Sequence, residues 1–381
     1  MSPLSRRRFL YQTAAAASAA CAAPGIAAAS GGSKDKIMSG TEALEGALEL
    51  LAKTGPEYDG RLANHGPMAA EALVTLERPK AVVPWVERYR KRLRDHPAGT
   101  RPIDPKEWRQ ALGESSRVGD WIAFFDRELS ERSWREVLGV WVPRLSPGVI
   151  AAAFHGVIRT AHAVRSLDAI ETPARRRELA EGLGYWAATY NALPEAPGRR
   201  AVGLPSRAIA EVAAVPPAQR IAGGNITDRL APLDRFPPFA GVADLVDASG
   251  DASRFLSDLT ETFAAVYLAS VPPGSVITYI HTVTGPSAIR LLLPHLEPES
   301  RRDLLRYGWQ GAAALYAAGG GKAIVSAAPL ALASRDDLID RAIATDDEHA
   351  IKFTEACLRE HALNPKPVYL QAALDAIARL S

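Results

Sequence analysis

The eight histidines are the residues from which chemistry is most directly built. Five stand among small and apolar neighbours: His65 in Asn64-His65-Gly66-Pro67, His155 and His162 in the run from Phe154 to Ala163, His281 between Ile280 and Thr282, and His349 after Asp346-Asp347-Glu348. The other three, His96, His295 and His361, adjoin charges, prolines or segment ends and read as surface or capping residues. His155 and His162 are seven apart, which at about 3.6 residues per turn returns to nearly the same helical face. His349 and Lys352 share a face one turn apart, although Lys352 also has the spacing of a surface lysine paired with Glu348 or Glu355. Imidazoles brought from several helices into one core are how helical proteins assemble metal sites. A single core histidine more often just satisfies a buried hydrogen bond, so the residues alone leave both readings open.

Other chemistries fail on their motifs. Gly319-Gly320-Gly321-Lys322 has Ala323 where a P-loop needs Ser or Thr, Tyr316 where the first glycine belongs, and a helix rather than a strand before it. No Gly-x-Gly-x-x-Gly follows a strand, which argues against a dinucleotide fold, and no Gly-x-Ser-x-Gly elbow occurs. Cys357 lies in a helical pattern with no sign of a nucleophile's surroundings. Arg159, one turn beyond His155, could bind a phenolate or carboxylate, or pair internally with an acid. Trp121, Phe124, Phe125, Trp134, Trp141, Tyr185, Trp186 and Tyr190 offer surface for a planar ligand, although aromatic residues at helical spacing usually form core.

The elements that must position these residues are helices nearly throughout. Leu44, Leu48 and Leu51 recur at helical spacing within Thr41–Lys53, with Glu42 and Glu45 in the first turn and Gly55 beyond the end. Asp104-Pro105-Lys106-Glu107 reads as the start of a segment that Gly113 stops. Further helices are expected at Met68–Leu76, Pro84–Arg94, Arg117–Leu129, Trp134–Trp141, Val149–Val164, Ala174–Leu193, Ala252–Leu268, Ser275–Val283, Ser287–Leu293, Glu299–Ala317, Arg335–Ala344, Glu348–Ala362 and Val368–Leu380. Continuous alternating strands with tight hairpin signals are absent. The expected fold is all-α: a single large multi-helix domain over residues 30–381, whose helical core is where a metal site built from these histidines would lie. Residues 194–238 form its longest irregular excursion, too apolar in Leu204, Ile209, Val212, Val215 and Ile221 for a solvated linker.

Composition sets the outer bounds. The 381 residues carry 45 Lys+Arg against 43 Asp+Glu, a net +2 that excludes a strongly basic nucleic-acid binder. Residues 1–29, with Arg6-Arg7-Arg8-Phe9-Leu10 followed by an Ala-rich stretch, match a twin-arginine export signal, too short and weakly apolar for a membrane span. Its removal would take three arginines and no acid, leaving a net −1. The expected location is therefore periplasmic, reached through the twin-arginine translocase. That route handles folded proteins, often with a cofactor already loaded. Cys21 lies in the signal and lacks the large aliphatic residue that usually precedes a lipidated cysteine, so Cys357 stands alone in the mature chain and no internal disulfide can form.

Four runs taken in order resemble the questin oxidase-like family: Asn64-His65-Gly66-Pro67-Met68, Phe154 to Ala163, Tyr279 to Pro286, and Asp346 to Lys352. The resemblance extends over roughly residues 42–362. It implies an oxidoreductase that oxidises, and in some relatives opens, an aromatic polyketide-like ring. It also implies metal ligation by His65, His155, His281 and His349, with Lys352 either neutral or carbamylated if it is buried beside them, while His162 either orients the substrate or hydrogen-bonds behind the ligands. Arg159 is the other candidate for the catalytic site, from its place one turn beyond His155. Between the chemistries attributed to that family, Fe(II) with O2 suits a multi-histidine site better than NADPH-linked Baeyer–Villiger oxidation, which needs a dinucleotide fold. The competing expectations are a two-metal hydrolase bridged by a carbamylated lysine and a non-catalytic helical binding protein.

Overall fold

The computed structural model describes residues 32–196, 200–270, 275–321 and 334–381; residues 1–29, where an export signal is expected and which include Cys21, lie outside them, as do Lys322 and Ala323. Fourteen α-helices carry the fold among these residues: α1 (Gly32–Leu51), α2 (Gly66–Thr75), α3 (Pro79–Tyr89), α4 (Val118–Glu131), α5 (Trp134–Leu145), α6 (His155–Ala169), α7 (Pro173–Ala188), α8 (Pro205–Ala208), α9 (Ala252–Ser270), α10 (Val276–Leu292), α11 (Pro298–Gly319), α12 (Arg335–Ala344), α13 (Glu348–Leu363) and α14 (Pro367–Leu380). The all-α expectation holds. A two-residue antiparallel ribbon, β1 (Glu57–Tyr58) with β2 (Leu62–Ala63), is the addition. Its signal was Asp59-Gly60: Gly60 and Arg61 both take the left-handed backbone that a tight hairpin demands, at φ 68° each. No helix among the described residues is long and apolar enough to cross a membrane.

The middle of the fold is α10, which packs against α6, α9, α11 and α13. A second group, α1 to α3, closes over α6 and α13 through α2. Proline normally breaks a helix by losing a hydrogen bond and crowding the preceding residue. Pro286 was accordingly expected to separate two helices, yet α10 runs through it unbroken. The residue before it is Gly285, which has no Cβ to meet the proline ring. Most of the aromatic stripe is core, as its spacing allowed. Trp108, Trp121, Phe124, Phe125 and Trp141 interlock with ring centroids 5.0–5.8 Å apart. Anchoring Trp108 there leaves only a 3-10 turn, Trp108–Ala111, where a helix from Asp104 was expected.

The most consequential difference lies before α6. Ala-rich residues 149–154 have good helix propensity, but the helix begins at His155 because Ala152, Ala153 and Phe154 all adopt positive φ, at 46°, 57° and 70°. Left-handed backbone costs a non-glycine residue roughly 1–2 kcal/mol, so tertiary contacts must impose it. The Phe154 ring supplies them. It is fully buried between α10 and α11, at two positions without side chains. A Cβ on Gly285 would come within 2.5 Å of the ring's Cγ, and one on Gly311 within 2.6 Å of its Cζ. Close approach also fixes the next layer, since a Cβ on Gly156 would meet Trp186 Cα at 2.7 Å and one on Gly182 would meet the Thr160 backbone at 2.9 Å. Within residues 194–238 the chain makes short turns, burying Ile209, Val212 and Val215 while Ile221 stays exposed.

Phe154→Ala is expected to lower the unfolding free energy by about 3–5 kcal/mol, the usual cost of emptying a buried aromatic site. Gly285→Ala should cost about 1–3 kcal/mol by overpacking the same ring. Denaturant unfolding followed by circular dichroism measures both; a loss below about 1 kcal/mol for Phe154→Ala would contradict this wedge.

Candidate metal centre

Four histidines from four parts of the chain meet in the interior: His65, His155, His281 and His349, each buried. Their rings form a closed circuit, with centroids 4.6 Å apart for His65–His155, 4.5 Å for His155–His281, 5.7 Å for His281–His349 and 4.5 Å for His349–His65. One ligand nitrogen from each lies within 4.8 Å of all the others. Two nitrogens on opposite sides of an ion at about 2.1 Å stand about 4.2 Å apart, so this span suits one ion.

Each ring is set by local chemistry. His65 immediately precedes α2, where Asn64 makes a side-chain turn, its Oδ1 accepting from Gly66 N at 2.9 Å while its Nδ2 donates to the Gly55 carbonyl at 2.9 Å. The His65 N–H donates to the Tyr89 hydroxyl at 2.7 Å. His155 opens α6, and its Nδ1 donates to the Ala152 carbonyl, presented by the strained turn. His281 lies within α10 and donates from Nδ1 to the Ile277 carbonyl at 2.6 Å. His349 sits in the first turn of α13, whose N-cap Asp347 accepts from the His349 and Ala350 amides at 2.7 and 3.1 Å.

A carbonyl only accepts, so these bonds place the proton of His155 and of His281 on Nδ1. Burial, reinforced by neighbouring imidazoles and Lys352, pushes His65, His155 and His281 well below the usual histidine pKa, so the rings are neutral. The Nε2 atoms of His155 and His281 therefore both carry lone pairs, yet they face each other at 3.0 Å. His65 Nε2 approaches the same His155 Nε2 at 2.6 Å. Two facing acceptors with no proton between them repel. A cation held by both removes the repulsion, and the donor set therefore fits a metal ion on its own chemistry. The buried Nδ1 atoms of His65 and His349 make no hydrogen bond, and each faces a carboxylate oxygen instead, Glu348 at 3.7 Å and Asp347 at 3.4 Å.

Sequence reading missed the groups around this circuit, apart from Glu348 as a candidate partner of Lys352. The Glu348 carboxylate is buried beside His65, 3.7 Å from Nδ1, and accepts from Tyr58 Oη at 3.4 Å and Arg92 Nη1 at 3.5 Å. Lys352 is buried too and forms no hydrogen bond or ion pair with a described residue. Burial pushes its ammonium down to about 7, against the attraction of Glu348 and Asp347. Pairing of Lys352 with Glu355, which helical spacing allowed, does not occur; Glu355 is taken by Arg165 and Arg359. A cavity of about 660 Å³ opens onto the imidazoles, and Tyr58, Leu62, Tyr185, Tyr190, Ile226 and Ile277 contribute to its wall.

The structure keeps the remaining two candidates out of that wall. Arg159 is a buried ion-pair partner, its Nε and Nη2 meeting Glu178 at 2.6 and 2.9 Å with Glu181 at 3.5 Å. His162, two turns from His155, donates from Nδ1 to Glu71 at 2.6 Å, and Glu71 also binds Arg165. Both residues tie helices together behind the circuit rather than facing the cavity. The i, i+7 spacing was correct in azimuth, but two turns carry His162 about 10 Å along the axis.

A family model described as questin oxidase-like matches residues 80–357 of the chain. The match includes His155, His281, His349 and Lys352, while His65 lies upstream of it. No curated protein matches the sequence.

The network behind the circuit predicts acid sensitivity. Burial alone would raise Glu71, but Arg165 and His162 hold it down at about 2. A carboxylate depressed in the folded state contributes its stability above the unfolded value of about 4.3, and loses it as pH falls toward the folded value. Glu71→Gln should therefore cost about 3–5 kcal/mol near neutrality, as expected for breaking a buried pair. The gap to wild type should close as pH drops from about 4 to about 2. Urea unfolding across that range measures it, and a pH-independent gap would contradict the assignment.

Proposed function

Since the chain belongs to the questin oxidase-like family, whose name is that of an oxidoreductase, we propose that its four-imidazole centre holds Fe(II) and that the protein is a non-haem oxygenase using O2 on a flat, hydroxylated aromatic substrate. The observation that carries this reading is the pair of proton-free Nε2 atoms of His155 and His281 facing each other at 3.0 Å. His65 and His349 complete the donor set. An Fe(II) ion held by these four imidazoles would supply the activation of O2 beside the substrate cavity.

The protein's own residues do the rest. Ala152 and Ile277 hold the proton on the Nδ1 atoms of His155 and His281, so that Nε2 stays available as a donor. Leu62, Ile226 and Ile277, with the rings of Tyr58 and Tyr190, line a space of the size that takes a small planar molecule and displaces its water. Lys352 stands one helical turn from His349, where an ammonium would repel a cation. Its burial without a hydrogen-bond partner supports a neutral amine or a carbamate there. In the carbamate, the Nζ lone pair bonds to the carbon of CO2 and a proton is released, turning the side chain into an anionic oxygen donor. Folding and metal loading before twin-arginine export to the periplasm complete the reading.

Metal analysis and oxygen uptake test the proposal. Purified full-length protein is expected to hold about one iron per chain, and His281→Ala or His349→Ala to lower occupancy at least about tenfold, as loss of a ligand in a buried site should. Oxygen consumption with a panel of hydroxyanthraquinones should track iron content, and a mass gain on Lys352 that disappears on acidification would report the carbamate. Zinc at two per chain, full iron occupancy in both variants, or a metal-free protein whose melting is unmoved by chelators would contradict the proposal.

A further inference from the structure

The cavity wall carries three carboxylates, Glu57, Asp347 and Glu348. Two are committed to the protein. Asp347 caps α13 through two backbone amides, and Glu348 accepts from Tyr58 and Arg92. Glu57, on β1, has one oxygen occupied: Oε1 accepts from the Tyr185 hydroxyl of α7 at 3.0 Å. Its Oε2 accepts from no described residue. Arg61, in the same hairpin turn, is held elsewhere, with Nη2 at 2.9 Å from both carboxylate oxygens of Asp228. Asn225 Nδ2 also donates to the Gly60 carbonyl at 2.6 Å, fastening the hairpin that carries Glu57 to the rim of the cavity.

We propose that Glu57 is the residue of this cavity that recognises a substrate hydroxyl and takes its proton, with Tyr185 as its positioning residue. The inference rests on the aromatic-substrate reading above and deepens it: the substrate bears an acidic, phenol-like O–H within reach of Oε2. In the transfer the substrate's O–H bond breaks, a new O–H bond forms on Oε2, and the electron pair stays on the substrate oxygen. The ring becomes richer in electrons and easier to oxidise. The proton later returns to the product or to cavity water.

The surroundings suit that role. Burial raises the Glu57 carboxyl above the usual carboxylate range, while the Tyr185 hydroxyl and the charge of Arg61 pull the other way. A raised pKa makes a carboxylate a stronger base, closer to the acidity of a phenol. Tyr185 is buried, with Arg159 behind it, and burial together with the Glu57 charge keeps its own proton firmly in place. It can therefore donate to Oε1 without competing for the substrate's proton.

The test is ligand binding without turnover, which separates this inference from the metal reading. The full-length protein is titrated in the absence of oxygen with a β-hydroxyanthraquinone and with its methyl ether, followed by the ligands' visible absorbance. Wild type is expected to bind the hydroxyl form about tenfold or more tightly than the ether near pH ~6.5, where the free ligand still carries its proton, as charge-assisted hydrogen bonds do. Glu57→Gln should erase that preference while leaving the ether's affinity unchanged. In wild type the preference should fade as pH falls through the raised Glu57 pKa. Tyr185→Phe should keep the preference but move that midpoint upward, because a donor that favours the carboxylate is gone. No hydroxyl preference in wild type, an undiminished preference in Glu57→Gln, or an equal loss for both ligands in that variant would overturn the proposal. Metal content in the same samples reports separately on the iron site.

Discussion

Two nitrogen lone pairs facing each other at 3.0 Å inside a protein core are the constraint around which this structure is arranged. Neither His155 nor His281 has a proton to place between them, because each has committed its proton to a backbone carbonyl on the other side of the ring. Protonation does not relieve the contact either, since burial disfavours the charged imidazole. A shared cation does relieve it, and the two further histidines that close the circuit make the site a four-nitrogen one.

Much of the architecture can be understood as the means of holding that unfavourable contact in place. The Ala152 carbonyl reaches the His155 ring only because three successive residues are left-handed, and they are so because the Phe154 ring is locked between Gly285 and Gly311. Gly285 lies one turn beyond His281 on the same helix. One aromatic side chain thus couples the positions of two of the four imidazoles. The charged layer of Glu71, Arg165, Glu355 and His162 does the corresponding work between α2, α6 and α13, the helices that carry or follow His65, His155 and His349. Stability and site geometry share these residues.

The helices and the four imidazoles were legible in the sequence for different reasons. Apolar spacing and caps located most helices, since those are local signals. The convergence of His65, His155, His281 and His349 was legible only through a family resemblance, because separations of 68 to 126 residues between successive histidines say nothing local about contact. Where local reasoning failed, a tertiary contact had overridden propensity. The Ala-rich run before His155 is not helical because Phe154 is drawn into a slot built from α10 and α11, and Pro286 does not break α10 because Gly285 spares it a clash. Arg159 and His162 looked like site residues because helical spacing gives azimuth but not which neighbours face it. Glu178 and Glu71 were those neighbours, and neither was visible from α6 alone. Glu57 was hidden for the opposite reason, sitting on a hairpin too short to show alternation.

The most direct measurement is anomalous diffraction at the iron edge from crystals of the full-length protein. The account predicts a single strong peak bounded by the imidazole nitrogens of His65, His155, His281 and His349, with His155 and His281 still donating from Nδ1 to Ala152 and Ile277. A site without a peak, with the Nε2 atoms of His155 and His281 drawn apart or bridged by water, would contradict it.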